Sequence, residues 1–322
     1  MATNLTSNGI LNQTIVDYDL LSTYVYIVSI PVFFIGILAN FFLLYLISSD
    51  SQFNRITYKL IRIAVISDLI SLHVSFTVFA ITAALKTIKY YMATVMCQVA
   101  IVITYCCYGV SITTLCMISV DRYFAIVRPF SSLYRKYKKR IAYLGQAIGC
   151  IISFSVSGPS VLFFGVYPDK TKICGVPNMN ISVSIYFLLV TLFLFIIPLL
   201  IIIINYALII RSLVRHVRPG QLAESSNDDR LKKRKFVRVL ITITSIYILS
   251  TWPYFASITG MAITRRSIRE IGKLGIEIYL MFVVSFFSTF AVNVISPFVY
   301  FNFDYNIKRK LLTTIGRIMH KE

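Results

Sequence analysis

Acidic residues are scarce in this chain: 13 stand against 32 Lys and Arg in 322 residues, and charged residues of both signs reach only 14%. A globular average is roughly 25% charged. With 57% hydrophobic residues beside that figure, the composition excludes a soluble enzyme and a disordered chain together. Histidine is nearly absent. His73, His216 and His320 are scattered, and no metal-ligand spacing occurs, so no metal centre is expected. No internal repeat marks a solenoid or paired transporter halves. The first 23 residues hold no basic residue and no cleavable apolar leader, so the first apolar segment is expected to be its own signal-anchor.

What is abundant is uninterrupted apolar sequence. Seven stretches can be drawn, at about 24–47, 60–85, 95–119, 141–166, 182–210, 236–262 and 274–301. Each meets the ~20 residues that a helix needs to cross ~30 Å of hydrocarbon. The runs lack the in–out alternation of barrel strands. The fold class expected is an all-α membrane protein, a bundle of seven transmembrane helices. An outer segment (1–23) precedes the bundle (24–301), and a short tail (302–322) follows as an amphipathic helix on the membrane surface.

The net charge of +19 could suggest nucleic-acid binding, but its distribution points to topology. Of the 32 basic residues, eight fall on the side that includes the N-terminus and 24 on the other. That excess puts the N-terminus outside and the C-terminus inside. The partner is then the bilayer, with no nucleic acid, and the location a multi-pass site in the plasma membrane. Asn4, Asn12 and Asn180 begin glycosylation sequons, all in segments assigned outside. Of six cysteines, Cys97 and Cys174 lie on that oxidising side, where a disulfide would tie an outer loop to span three.

Ionisable groups at membrane depth are candidates for function. Asp68 lies in span two, with Asn40, Ser111, Asn293 and Ser296 at similar depth on three other spans. They form either a functional cluster or a protonated acid hydrogen-bonded between helices. Asp121-Arg122-Tyr123 closes span three, as an interfacial anchor or as a switch. Pro159, Pro198, Pro253 and Pro297 interrupt spans four to seven and provide kinks, static or hinged.

With these residues assembled, the chain resembles a rhodopsin-like (class A) G-protein-coupled receptor over nearly its whole length. The carrying residues are Gly36-Ile37-Leu38-Ala39-Asn40, Asp68, Cys97, Asp121-Arg122-Tyr123, Cys174, Pro198 with Tyr206, Pro253-Tyr254-Phe255, and Ser296-Pro297-Phe298-Val299-Tyr300. The sequence departs from the family in four places. Gly149-Cys150 replaces a tryptophan in span four, and Ser296 an asparagine in span seven. Trp252 stands next to Pro253 instead of two places before it, about 100° round the helix. Lys233 stands near the acid that pairs with the family's arginine, which implies a weaker lock and raised basal activity.

The resemblance implies a receptor that transmits an extracellular ligand signal to a heterotrimeric G protein, with no enzymatic step and no cofactor beyond an allosteric sodium ion. It implies an ion pocket of Asp68, Ser111, Asn293 and Ser296, and a coupling switch of Asp121, Arg122, Tyr123, Tyr206 and Tyr300. Pro198, Trp252, Pro253 and Pro297 would be the hinge. Phe290 replaces the retinal lysine and Thr104 the amine-binding acid, against an opsin and a monoamine receptor. The pocket candidates are Thr104, Tyr105, Tyr108, Tyr254 and Phe255, or these are packed core. The net basic outer loops favour an anionic ligand or nothing at all. Rival readings are a chemosensory or decoy receptor with atypical coupling, and a small transporter or channel.

Overall fold

The computed structural model describes residues 18–85, 87–129, 131–215, 224–273 and 275–319. All seven expected spans are helices: α1 (Tyr18–Ser48), α2 (Ile56–Ala84), α3 (Tyr90–Ile126), α4 (Ser132–Ser157), α6 (Ile181–Thr191) running into α7 (Ile197–Arg215), α8 (Glu224–Thr264) and α10 (Ile276–Phe303). Short helices α5 (Ser160–Phe163) and α9 (Ile268–Gly272) and the tail helix α11 (Tyr305–Met319) complete the set. In hydrocarbon each peptide group must find its partner within the chain, which a helix achieves by itself. Apolar side chains therefore face outward as well as inward: Leu162 is 80% exposed, Ile263 73% and Met281 72%, as suits a bilayer and no aqueous surface.

Spans one, three, five and six extend past their apolar windows at both ends, while α2 stops at Ala84 and α10 starts at Ile276, just inside the drawn bounds. Span four departs most. Expected to run to residue 166, it breaks after Ser157 at Gly158-Pro159, restarts as α5, and gives residues 165–167 to a strand. Proline lacks the N–H that the helix would use there. Pro198 follows a π-helical turn, Leu192–Ile196, that joins α6 to α7. Pro253 and Pro297 sit inside continuous helices, and so does Pro31 in α1, which the sequence reading did not single out.

Around the bundle α1 packs on α2, α2 on α3, α3 on α4 and α7, α6 on α8, and α8 on α10, which returns to α1 and closes the ring. Two close approaches depend on glycine. A Cβ on Gly149 of α4 would lie 1.9 Å from Thr113 Cγ2 of α3, and one on Gly109 of α3 would lie 2.4 Å from Ser153 Oγ of α4. The tryptophan missing from span four could not be accommodated at residue 149, where helix α3 passes. Buried side chains gather in three clusters. One surrounds Leu60, Ile118, Ile209 and Tyr300 near Asp121, another Tyr105, Phe187 and Ile258 near the disulfide, and a third is Phe33, Leu72, Phe79 and Phe290 between α1, α2 and α10.

A hairpin of β1 (Gly165–Tyr167) and β2 (Lys170–Gly175) covers one end of the bundle, antiparallel with Val166 opposite Cys174. At the other end α11 leaves α10 at Asp304, whose carboxylate caps it by accepting from the N–H groups of Asn306 (2.9 Å) and Ile307 (3.1 Å). Tyr58 donates to the same carboxylate at 3.3 Å. Burial pushes the Asp304 carboxyl above its ordinary range in spite of those donors. Lys310 pairs with Asp50 (3.0 Å) and Arg309 donates to Gln52 (3.1 Å), so two basic tail residues are docked on the α1–α2 turn. The Gln52 amide, and after it Lys310, hold the Asp50 carboxyl below its ordinary range.

Candidate functional site

At the hairpin end Cys97 of α3 and Cys174 of β2 form a disulfide, Cα–Cα 5.5 Å. It pins the hairpin over the mouth of the bundle. Two further ties hold the hairpin: Tyr26 of α1 donates to the Lys172 carbonyl (3.0 Å), and Arg269 of α9 makes a two-pronged pair with Asp169 in the turn (3.0 and 2.5 Å). A capping box of Ser267 and Glu270 starts α9 and sets that arginine in place. Asn180 caps α6 through its side-chain oxygen (3.0 Å to the Val183 amide) and is exposed. Asn4 and Asn12 lie outside the described residues.

Beneath the hairpin lies a cavity of about 120 Å³, walled by α1, α2, α3, α8, α10 and both strands. Of the five pocket candidates Thr104 and Tyr254 line it. Tyr105, Tyr108 and Phe255 are not among its lining residues. Tyr105 shares a 2.5 Å hydrogen bond with Tyr254 behind the wall; Tyr108 packs on Tyr247 (5.1 Å between centroids) and Phe255 stacks on Phe195 (4.9 Å). The Tyr105 hydroxyl and the Tyr108 ring join α3 to α8, and the Phe255 ring joins α8 to the π-helical turn. The lining instead draws on Phe79, Phe282, Phe286, Phe287 and Phe290. These are aromatics of spans two and seven that hydropathy reads only as core.

At mid-depth Ser111 donates to Asp68 (2.9 Å), so these two members of the proposed ion cluster meet. Among the described residues no hydrogen bond joins Asn293 or Ser296 to Asp68. Asn293 contributes its backbone carbonyl to Asn40 Nδ2 (2.7 Å), Ser296 is buried nearby on α10, and Asn40 Oδ1 is buried with no hydrogen-bond partner among the described residues.

Trp252 is 52% exposed on the outer face of α8, so it is no part of an internal hinge. The inward position two places before Pro253 belongs to Thr251, wholly buried and bonded back to the Tyr247 carbonyl (2.7 Å). Tyr247 in turn donates to the Tyr108 carbonyl (3.1 Å) and ties α8 to α3 one turn before the place where the indole was expected.

At the end opposite the hairpin, Asp121 is 1% exposed and accepts from four directions. Arg122 and Lys138 (2.7 Å) are its cations; Tyr134 (2.8 Å) and Thr57 (3.0 Å) are its hydroxyl donors. Arg122 also reaches Thr57 Oγ1 at 2.5 Å. Thr57, Tyr134 and Lys138 were missed in the sequence. Tyr206 of α7 shares a hydrogen bond with Thr244 of α8 (3.3 Å), and Tyr300 is buried in the same cluster; Tyr123 packs against Phe124 (5.3 Å between centroids). Lys233 lies in α8, and its side chain is outside the described residues.

Comparison with known proteins agrees with this arrangement. The profile of the 7 transmembrane receptor (rhodopsin family) matches residues 39–300. G-protein coupled receptor 183 of Rattus norvegicus is 26% identical over 305 residues, 89% of this chain and 80% of its own. Melanopsin-A of Danio rerio and a purinoceptor of Gallus gallus are each 29% identical over 45% and 46% of this chain, and the match spans 26% and 39% of their own lengths. The chain belongs to the rhodopsin family of seven-transmembrane receptors, signalling proteins of the plasma membrane that are not enzymes.

Proposed function

We propose that this receptor takes an extracellular ligand in the cavity beneath the hairpin and passes the signal to a heterotrimeric G protein at the Asp121 end. The hairpin and the N-terminal side of α1 are then extracellular, and α11 lies on the cytoplasmic surface. One observation carries the reading: the ligand-sized cavity and the buried Asp121–Arg122 pair stand at opposite ends of one bundle, joined by α3. A ligand that favours one packing of the helices changes the population of the other end without contact.

In the arrangement described, Arg122 is turned onto Asp121 and Thr57, and Tyr206 ties α7 to α8. Both contacts close the cytoplasmic end, which makes this the resting state. Activation moves α8 away, frees Tyr206, and releases the guanidinium, whose five donors stay charged at any physiological pH and can bind the carbonyls of an inserted partner helix. Asp68 and Ser111 offer a carboxylate and a hydroxyl, hard oxygen donors of the kind that suit a sodium ion, and Asn40 Oδ1 on the neighbouring helix still lacks a partner. Such an ion, with Asn293 and Ser296 on the α10 side, would hold the resting packing.

Substitution at the switch tests the coupling. Arg122→Ala is expected to leave surface expression near normal while abolishing stimulated nucleotide exchange, and Asp121→Asn to raise basal exchange. Normal signalling by Arg122→Ala would overturn the reading. Its failure to reach the surface would make Arg122 a structural anchor.

A further inference from the structure

We infer that the cavity receives a single-chain aliphatic acid, its carboxylate at Lys172 and its chain directed along α10 toward Phe290. This rests on the receptor reading for its consequence, though not for its geometry.

The cavity is most polar at one end and mainly aromatic at the other, where Ser75 and Thr104 add two hydroxyls. At the mouth stand Ser22, Tyr26, Lys172 and Tyr279; the floor is Phe79, Phe286, Phe287 and Phe290. Tyr279 and Phe290 are 11 residues apart on one helix, so mouth and floor are separated by about 16 Å at 1.5 Å per residue. About 120 Å³ of space lies between these two levels. An apolar cavity of roughly 150 Å³ holds one benzene ring. A slender chain suits this space, and a fused ring system does not.

The mouth also decides the head group. Ser22 Oγ and Tyr279 OH are bonded to each other (3.1 Å), and Tyr26 is engaged by the Lys172 carbonyl (3.0 Å). Lys172 is the one charged residue among the described lining residues, and no described carboxylate is paired with it. A cationic ligand would meet no acid. A nucleotide would bring several negative charges to one ammonium. A peptide or sugar would bury many donors and acceptors against phenylalanine, at a cost for each left unpaired. A neutral hydrocarbon would cover the ammonium without compensating it. One carboxylate on an otherwise apolar molecule satisfies both ends of the cavity.

The test uses the full-length receptor in nanodiscs of uncharged lipid. Thermal unfolding is followed with straight-chain acids of graded length and with decanol, decanamide and decylamine as isosteres. Ligand bound to the folded state raises the midpoint. Acids should raise it, with one preferred chain length, and decanoate should bind at least roughly tenfold tighter than decanol, as a charge-assisted contact implies. Lys172→Gln should abolish that preference while leaving decanol binding in place. Phe290→Ala should move the preferred length to longer acids, which general membrane partitioning would not do. Equal shifts from acid and alcohol, a larger shift from decylamine, or no shift from any acid would overturn the inference. Basal nucleotide exchange by Asp121→Asn, measured without ligand, separates the two readings. If that variant signals and acids do not bind, the ligand class alone is wrong; if acids bind and no variant signals, the coupling is wrong.

Discussion

Lys138 gives the switch its most discriminating prediction. Asp121 is 1% exposed and carries two cations, Arg122 and Lys138. Removing one partner of a buried charge is costly because the other is left uncompensated. In the resting state both cations are present, so Lys138 is partly redundant. If Arg122 leaves Asp121 for a G protein, as proposed, Asp121 keeps only Lys138 and the hydroxyls of Tyr134 and Thr57. Lys138 therefore lowers the cost of releasing Arg122, and its loss favours the resting state. The Lys138 side chain is 35% exposed, so solvent screening limits the differential to about 1 kcal/mol. At about 1.4 kcal/mol per factor of ten, that is roughly a fivefold shift in the switch equilibrium. Lys138→Met, which keeps the length of the side chain, is expected to lower basal exchange about fivefold in a panel of reconstituted G proteins, and Lys138→Arg to preserve it. If every contact to Asp121 were simply part of a resting-state lock, Lys138→Met would raise basal exchange. A rise, or no change beyond about twofold, refutes the argument.

Three further outcomes follow from the packing and the topology. Gly149→Ala places a methyl 1.9 Å from Thr113 and should cost roughly 1–3 kcal/mol by overpacking, read as a lower unfolding midpoint and partly restored by Thr113→Ala. Sodium, compared with N-methyl-D-glucamine, should lower basal exchange in the native chain and have no effect in Asp68→Asn, by linkage between ion and packing; indifference of the native receptor to the cation would remove sodium from Asp68. An N-terminal tag should be reachable by antibody on intact cells, and glycosidase should lower the mass through Asn4 and Asn12; a tag reached only after permeabilisation would reverse the orientation.

The bundle was legible because its cause is one-dimensional. A run of about 20 apolar residues must be a helix in lipid, whatever lies beside it, and seven such runs leave few architectures. The Cys97–Cys174 link and the Asp68–Ser111 contact were legible for a similar reason, since few polar or oxidisable groups exist at those depths to choose among. The pocket was not. Hydropathy sees Tyr105 and Phe79 alike as aromatics in a span, and only three-dimensional packing puts one behind the wall and the other in it. Lys138 was hidden for the opposite reason: it belongs to a basic run that topology explains completely, so nothing in the sequence asked for a second role.

Trp252 shows where motif and geometry separate. A one-residue shift turns a helical side chain by about 100°. The shift alone decides that the indole leaves the interior, and its 52% exposure follows. The vacated inward place falls to Thr251, whose hydroxyl bonds back along its own helix and spans no gap. The link between α8 and α3 is made one turn earlier, by the Tyr247 hydroxyl on the Tyr108 carbonyl. Tyr108 and Tyr247 also pack ring against ring, so the contact couples a hydrogen bond to an aromatic face. Any swing of α8 has to break that bond or carry α3 with it. The restraint on α8 in this receptor is therefore a tyrosine pair on the N-terminal side of Pro253, and the lone tryptophan is left to the lipid.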